Sequence, residues 1–579
     1  MIRTQSLPDS DSMAVASTEE AKSAPVSYKL LGAIVTGAFL LRLLFMLKWT
    51  PVISGDGCEY IRMGINIRDG QPLTGSFDWP ETMYGTLYPV LIAGVSRLGM
   101  TAEHAAYLLS LLFGTALVVI AFLLARYIYG DRVGYIAAAL FAAFPVFIGL
   151  SGSVFNESIY LTLWLAGIYW SIRALDSYRA KDFLIAGICF GLSTLSRPEA
   201  FAYPLFLIIA AVFFAVTRKI AVGKVLRGAA LVAGSWVLLM APYAIFQHAH
   251  TGQYRFEGKW NINYTIGNRI DSGMSFWQAG YSIDTKHHFI GPLLDSSLYA
   301  AYTPYPHSFT NKLTYMAHAI RRNWPRTYDE VVAMDFGGPV MLLLAILGLF
   351  SAGWSLKRLR NEFVLLVMAF SIVFLMLTAA HIEHRYAYAL PVISLLWVAA
   401  GLEYFRHWIS ANLSSWGSSA QLSRSLSILT CFVLSLVLLV FSAVELRTDW
   451  YFTIERSEFS GIKEAGLWLG RQLPKHARMF GFEGRVAYYA DASIIIFPYA
   501  DSAETLRYLD SKNIDYIELD SLSTPYLPAL ADWYQHGVPD PRAHLVFQST
   551  QGSKDIIRIY KWDHTAAAAN AASSTSAKE

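Results

Sequence analysis

Apolar runs of 18 or more residues recur along the first three quarters of the chain, separated by shorter polar segments. A run of that length crosses a hydrocarbon core of roughly 30 Å as a helix. Backbone groups in lipid must be satisfied internally, so helices fit and open sheets do not. The runs predict about eleven spans, at residues 29–49, 104–125, 133–150, 157–174, 183–197, 199–216, 229–247, 337–356, 362–380, 388–405 and 426–445. Two intervening segments are long, 50–103 and 248–336. In the first, Tyr60, Met63 and Ile67 recur at helical spacing beside Arg62 and Arg68, which predicts a short helix lying on the membrane surface. Beyond the last span, charged helical stretches alternate with short β-rich runs at 515–519, 545–548 and 555–560, a pattern for a small α/β domain over 446–564. The tail 565–579 lacks apolar bulk and reads as disordered. The fold class that follows is an all-α polytopic membrane domain over 29–445, a polar N-terminal tail over 1–28, and a soluble α/β C-terminal domain.

Composition agrees: 54% of residues are hydrophobic and 15% charged, wrong for a soluble chain of this size. Charge then orients the spans. Arg126 and Arg132, then Arg173, Arg179 and Lys181, then Arg218, Lys219, Lys224 and Arg227, then Lys357, Arg358 and Arg360 all fall in loops on the N-terminal side, which the positive-inside rule makes cytoplasmic. The long loops and the C-terminal domain then lie outside. The first run has no small-residue cleavage site after it and reads as a retained span. A net charge of +3 is too small to suggest nucleic acid. Cys58, Cys189 and Cys431 stand too far apart to suggest a disulfide framework or zinc finger. The sequence carries no internal repeat and no Walker A, GxGxxG or HExxH motif.

The sharpest chemical feature is Ser54-Gly55-Asp56-Gly57-Cys58-Glu59-Tyr60, which sets a carboxylate just beyond the first span. At the interface such a group stays ionised and can serve as a base; it can equally cap the surface helix. Arg197 and Arg385 fall at span ends, where a planar guanidinium suits a phosphate, or pairs for structure with Glu199 and Glu383. Glu157, after Asn156, either assists chemistry or simply favours a helix N-terminus. His381-Ile382-Glu383-His384 offers metal-type donors, but spaced too closely to share one helical face. The second long loop carries Trp260, Tyr264, Trp277, Tyr281, Trp324 and Tyr328 among Arg255, Lys259, Arg269, Arg321 and Arg322. It is suited to roof a sugar and phosphate site or to form a membrane belt.

Taken in order, Asp56 with Tyr60, Gly85-Thr86-Leu87-Tyr88-Pro89, Asn156-Glu157, Arg197-Pro198-Glu199, and Arg385-Tyr386 with Leu390-Pro391 resemble the polytopic glycosyltransferases of the GT-C fold. Within them, the resemblance is to the protein O-mannosyltransferases and the aminoarabinose transferase of lipid A. The resemblance implies an enzyme that takes a sugar from a polyprenyl-phosphate carrier to an acceptor hydroxyl on protein, lipid or glycan, with inversion. It makes Asp56 the catalytic base. Several relatives have an acidic residue directly after that aspartate; here Gly57 stands there, leaving the second acidic contribution to Glu157 or Glu81. Arg197 and Arg385 are then the donor-phosphate ligands, and Tyr60, Glu81, Tyr88, Glu199 and Arg269 the candidate substrate contacts. No cofactor is implied, and a divalent metal is left open. Ala-rich, basic composition favours a bacterial inner membrane. The rival classes are a transporter or flippase, which would show broken helices, midplane charges and repeated halves, and a membrane-anchored binding protein whose soluble domain does the work.

Overall fold

The computed structural model describes residues 27–77, 79–284, 289–328, 338–351, 353–448, 450–473, 477–550 and 552–564. The expected N-terminal tail up to residue 26 and the tail 565–579 lie outside the described residues.

Every predicted apolar run holds a helix. They are α1 (Tyr28–Trp49), α4 (Ala102–Tyr129), the pair α5 (Asp131–Ala143) and α6 (Pro145–Gly152), α7 (Glu157–Ser177), α8 (Ala180–Ser196), α9 (Tyr203–Arg218), α10 (Val222–Thr251), α14 (Gly338–Phe350), α15 (Leu356–Thr378), α16 (Leu390–Ser415) and α17 (Ala420–Thr448). Among the described residues, seven spans meet length and hydropathy alone, and an eighth if the bent pair is one crossing. α8 and α14 are shorter than a full crossing. Large side chains on the outer faces of the bundle stay exposed, among them Leu44, Phe213, Leu238 and Phe432, as a lipid-facing surface requires. Inside it, small residues let backbones meet: a Cβ at Gly348 would strike the carbonyl of Trp397, and one at Gly401 the carbonyl of Leu344, so α14 and α16 touch main chain to main chain.

The predicted span at 133–150 is not a straight helix. α5 and α6 meet at a 56° bend at Phe144. Pro145 has no N–H to give to the Phe141 carbonyl four residues back, and Arg42 of α1 supplies the missing donors. It is fully buried and donates to the carbonyls of Phe141 at 2.8 Å and Ala142 at 2.9 Å, and to Ser151 Oγ at 3.2 Å.

The first long loop builds α2 (Gly55–Arg68) and α3 (Leu87–Ser96); the second builds α11 (Trp260–Asp271), α12 (Phe276–Tyr281) and α13 (Phe309–Tyr328). α2 is the helix predicted for the membrane surface, but its Tyr60, Ile61 and Met63 are buried against α3 and the start of α4.

The C-terminal domain is a five-stranded sheet of β1 (Arg478–Gly481), β2 (Ser493–Ile496), β3 (Tyr516–Asp520), β4 (Ala543–Gln548) and β5 (Ile557–Trp562), in spatial order β2-β1-β3-β5-β4. β1 pairs in parallel with β2 and β3; β5 is antiparallel to β3 and β4. One face packs on α18 (Gly461–Gly470) and α19 (Gly484–Ala490), the other on α20 (Ser502–Asp510) and α21 (Pro528–His536), giving two apolar layers. The sequence pattern predicts β3, β4 and β5 to within about two residues.

This domain grips the first loop. The Ile494 N–H on edge strand β2 donates to the Ser76 carbonyl at 3.0 Å, Tyr489 Oη accepts from the Ile53 N–H at 3.0 Å, and Arg62 pairs with Asp491.

Candidate active site

α2 begins with its own cap: Ser54 Oγ accepts from the Gly57 N–H at 3.0 Å and donates to the Val154 carbonyl at 3.0 Å. That double contact draws the helix start so close to 153–156 that a Cβ at Gly57 would lie 2.7 Å from the Val154 carbonyl. Any side chain at 57 would therefore push against the main chain at Val154. With Ser54 as the cap, the Asp56 carboxylate is available for other partners. Its Oδ1 accepts from Tyr84 Oη at 3.1 Å, and its Oδ2 is ion-paired with Arg385. Burial raises the Asp56 pKa, but the charges of Arg385 and Lys259 and the hydrogen bonds from Arg385 and Tyr84 outweigh it, leaving the carboxyl below its usual range.

A second charged group forms where α7, α8 and the turn Pro198–Ala202 meet. Asn156, immediately before α7, exchanges hydrogen bonds with Ser196 at the end of α8: its amide donates to the Ser196 carbonyl and its oxygen accepts from the Ser196 hydroxyl. This clamp sets Glu157 against Arg197, which also forks onto Glu199 through Nη2 at 2.9 Å and Nε at 3.3 Å. The Arg197 guanidinium lies 5.7 Å from the Tyr160 ring centre. Arg385 likewise carries two carboxylates, Asp56 and Glu383. The structural pairing and the cavity-facing placement of both arginines therefore hold together.

Arg197, Arg385, Glu157 and Glu199 share a cavity of about 410 Å³. Its charged end also holds Trp260 and Tyr386; its remaining wall is apolar, with Phe206, Ile372, Phe374 and Leu375 contributed by α9 and α15. A second chamber of about 360 Å³ adjoins it through Glu199, Trp260 and Tyr386 and adds Glu257, Lys259, Asn263, Tyr264 and His381. Glu257 orients this wall by accepting from the Lys259 N–H at 2.9 Å and the Trp260 N–H at 2.8 Å. Lys259 Nζ sits 5.5 Å from the centre of the Tyr84 ring, beside Asp56.

The other predicted residues stand further back. Tyr60 is buried beneath the site, its ring against Tyr84 and Tyr88 and its hydroxyl 3.4 Å from the Asn156 amide. Tyr88 faces α4, donating to the Ala106 carbonyl at 2.8 Å, and lines neither chamber. Glu81 is buried and accepts from the N–H groups of Met83 at 2.7 Å and Tyr84 at 3.2 Å, so it shapes the loop that presents Tyr84. Arg269 is enclosed within the second loop, donating to the Ala279 carbonyl at 3.0 Å. Among the described residues no three His, Cys, Asp or Glu side chains gather as metal ligands, and His381 stacks on Phe276. Sequence reasoning missed Tyr84 altogether and named Lys259 only among the second loop's cations; the nearest signal for Tyr84 was its place beside the Gly85 motif.

Residues 85–246 match the family described as dolichyl-phosphate-mannose-protein mannosyltransferase. No curated protein matches the chain by sequence. In three dimensions the chain is similar to the oligosaccharyltransferase of Archaeoglobus fulgidus, with a TM-score of 0.61 and 14% identity over 93% of this chain and 74% of that one. It is also similar to ArnT of Cupriavidus metallidurans bound to undecaprenyl phosphate, with a TM-score of 0.52 and 13% identity over 92% of this chain and 98% of that one. The same Archaeoglobus enzyme in complex with an inhibitory peptide and a dolichol-phosphate gives a TM-score of 0.56 and 14% identity over 93% and 74%. The fold is that of the GT-C glycosyltransferases.

Proposed function

From a GT-C fold and a partial family match, we propose that this chain is a membrane glycosyltransferase that moves a sugar from a polyprenyl-phosphate carrier to an acceptor hydroxyl. The observation that carries the reading is Arg385, which lines the charged end of a cavity whose other wall is apolar and built by spans, and which is ion-paired with Asp56 just behind that lining. The prenyl chain lies along Phe206, Ile372 and Leu375, its phosphate at Arg385 and Arg197, and its sugar beneath Trp260. In this reading the positively charged loops at the far end of the bundle are cytoplasmic, so the reaction takes place on the extracytoplasmic face, at a bacterial inner membrane.

Two steps follow from the chemistry. A donor phosphate entering the cavity competes with Asp56 for Arg385, because the guanidinium fork can bind two phosphate oxygens at once. Released from Arg385, Asp56 regains basicity and takes the acceptor hydroxyl proton as the acceptor oxygen bonds to the anomeric carbon. The anomeric carbon–oxygen bond to phosphate breaks on the opposite face, and the electron pair leaves on the phosphate, whose charge Arg385 and Arg197 stabilise. The configuration inverts. A transporter has less support: the broken span among the described residues has its freed carbonyls taken by Arg42, and the ionisable residues gather at helix ends.

The test is Asp56→Asn in membranes supplied with extracted lipid-linked sugars. A general base is worth about 10²–10⁴ in rate, so transfer falls at least a hundredfold while expression is unchanged. Undiminished transfer by the variant overturns the mechanism.

A further inference from the structure

α7 carries Glu157 at its first residue and Arg173 sixteen residues later, so at about 1.5 Å per residue the two stand roughly 24 Å apart along one helix. The Arg173 end therefore lies at the opposite end of the helix bundle from the candidate active site. There a cleft of about 480 Å³ opens between α4, α5 and α7, lined by Leu123, Arg126, Tyr127, Asp131, Tyr169 and Arg173.

Several cations at this end are already committed to partners. Arg218 donates to the carbonyls of Leu175 and Asp176, Arg360 pairs with Asp176, Arg358 donates to the carbonyls of Gly348 and Leu349, and Arg406 pairs with Glu403. Arg173 differs. Among the described residues it makes no ion pair: Nη1 donates to Tyr169 Oη at 2.9 Å, and its guanidinium lies 4.7 Å from the Trp170 ring centre and 5.5 Å from that of Tyr169. Because Tyr169 Oη accepts from Arg173, its own proton is available to a second acceptor, whereas Tyr127 Oη gives its proton to Asp176 at 2.6 Å. Arg126 completes the cleft's cationic wall, shared with Asp131, and Leu123 begins an apolar edge leading into the bilayer.

We propose that this cleft binds the phosphodiester headgroup of an anionic phospholipid, in the leaflet opposite the candidate active site. Arg173 and the Tyr169 hydroxyl each give a hydrogen bond to the phosphate, Arg126 adds charge, and the acyl chains run past Leu123. Basic pockets between helices are the recurrent form of such sites, and the aromatic faces around Arg173 suit the headgroup zone.

The test is native mass spectrometry of the full chain in neutral detergent, titrated with phosphatidylglycerol, with phosphatidylcholine, and with inorganic phosphate. One phosphatidylglycerol per chain is expected to be retained at least fivefold more tightly than phosphatidylcholine, and inorganic phosphate at millimolar concentration does not displace it. Arg173→Gln and Tyr169→Phe each lose the preference. Arg227→Gln, which removes an exposed cation from the same end, keeps it. Equal retention of the two lipids, equal loss in Arg227→Gln, or displacement by inorganic phosphate overturns the proposal. Tyr169→Phe preserves ring packing, so it keeps the test decisive if Arg173→Gln fails to fold.

Discussion

At Asp56 the contacts that fix the carboxylate also weaken it as a base, because Arg385 and Lys259 hold its pKa below the usual range despite burial. Its stabilising contribution is present above the ordinary carboxylate pKa of about 3.8 and is lost only as pH falls through the lowered value. Glu81 has the opposite sign. Burial pushes its pKa from 4.5 to about 7, against the Met83 and Tyr84 N–H bonds that favour its charge. The folded protein keeps a proton that the unfolded chain releases, so stability falls as pH rises from about 4.5 to about 7 and is flat above. The contribution is on the order of 3 kcal/mol. Thermal unfolding in detergent checks it: Glu81→Gln should lose less stability than the native chain between pH 5 and 7.5. Parallel curves for the two proteins contradict the assignment. Residue types, span ends and a family resemblance single out Asp56, Glu157, Arg197 and Arg385 in the sequence, and the structure sets Glu157, Arg197 and Arg385 around one cavity with Asp56 paired to Arg385. The Asp56–Arg385 contact itself was not legible, since the two residues are 329 positions apart and no local pattern encodes it.

Among the elements, the bend between α5 and α6 shows what hydropathy misses. Pro145 sits inside an unbroken apolar run, which reads as one span because composition is blind to a missing N–H. Arg42 sits inside another and reads as a costly charge. Together they are one device, a guanidinium capping the Phe141 carbonyl that the proline leaves without a donor and the Ala142 carbonyl at the bend. Arg42→Leu should destabilise the protein by about 3 kcal/mol or more, since orphaned buried carbonyls cost roughly 1–3 kcal/mol each. Pro145→Ala restores a donor to Phe141 and should recover part of that loss in the double variant; purely additive unfolding midpoints would contradict the capping role. The short strands β1 and β2 escaped the sequence reading for a related reason. In Arg478–Gly481 and Ser493–Ile496 three apolar or small residues follow one polar residue, so the sequence carries no alternation to distinguish them from helix. The Gly85 motif, by contrast, has a plain steric basis. A Cβ there would meet the Ser196 carbonyl oxygen and lie 2.7 Å from that of Leu195. Gly85→Ala should therefore cost about 1–3 kcal/mol and disturb the Asn156–Ser196 clamp, seen as reduced folded yield.

For the whole molecule, the C-terminal domain is more than an appendage, because it holds the helix that carries the proposed base. The backbone entering α2 gives the Val52 N–H to the Glu455 carbonyl at 3.3 Å and the Ile53 N–H to Tyr489 Oη at 3.0 Å, while Lys463 Nζ donates to the Pro51 carbonyl at 2.9 Å. One turn further along, Glu59 accepts from the Ser76 N–H at 2.8 Å, and Ser76 in turn joins edge strand β2. The Asp56 carboxylate thus sits between a clamp on α2 from the soluble domain and the Arg385 contact from the membrane domain. Tyr489→Phe removes only a hydroxyl and leaves the buried Ile53 N–H without its acceptor, a cost of about 1–3 kcal/mol concentrated at the start of α2. Small displacements of a base are expensive in rate. On the proposed function, the expected result is a transfer rate several-fold to tenfold lower, with an added polyprenyl phosphate still protecting the protein against thermal unfolding, because Arg197 and the apolar wall of the cavity are untouched. Loss of both rate and protection would mean that the domain supports the carrier site as a whole, and an unchanged rate would mean that α2 needs no clamp.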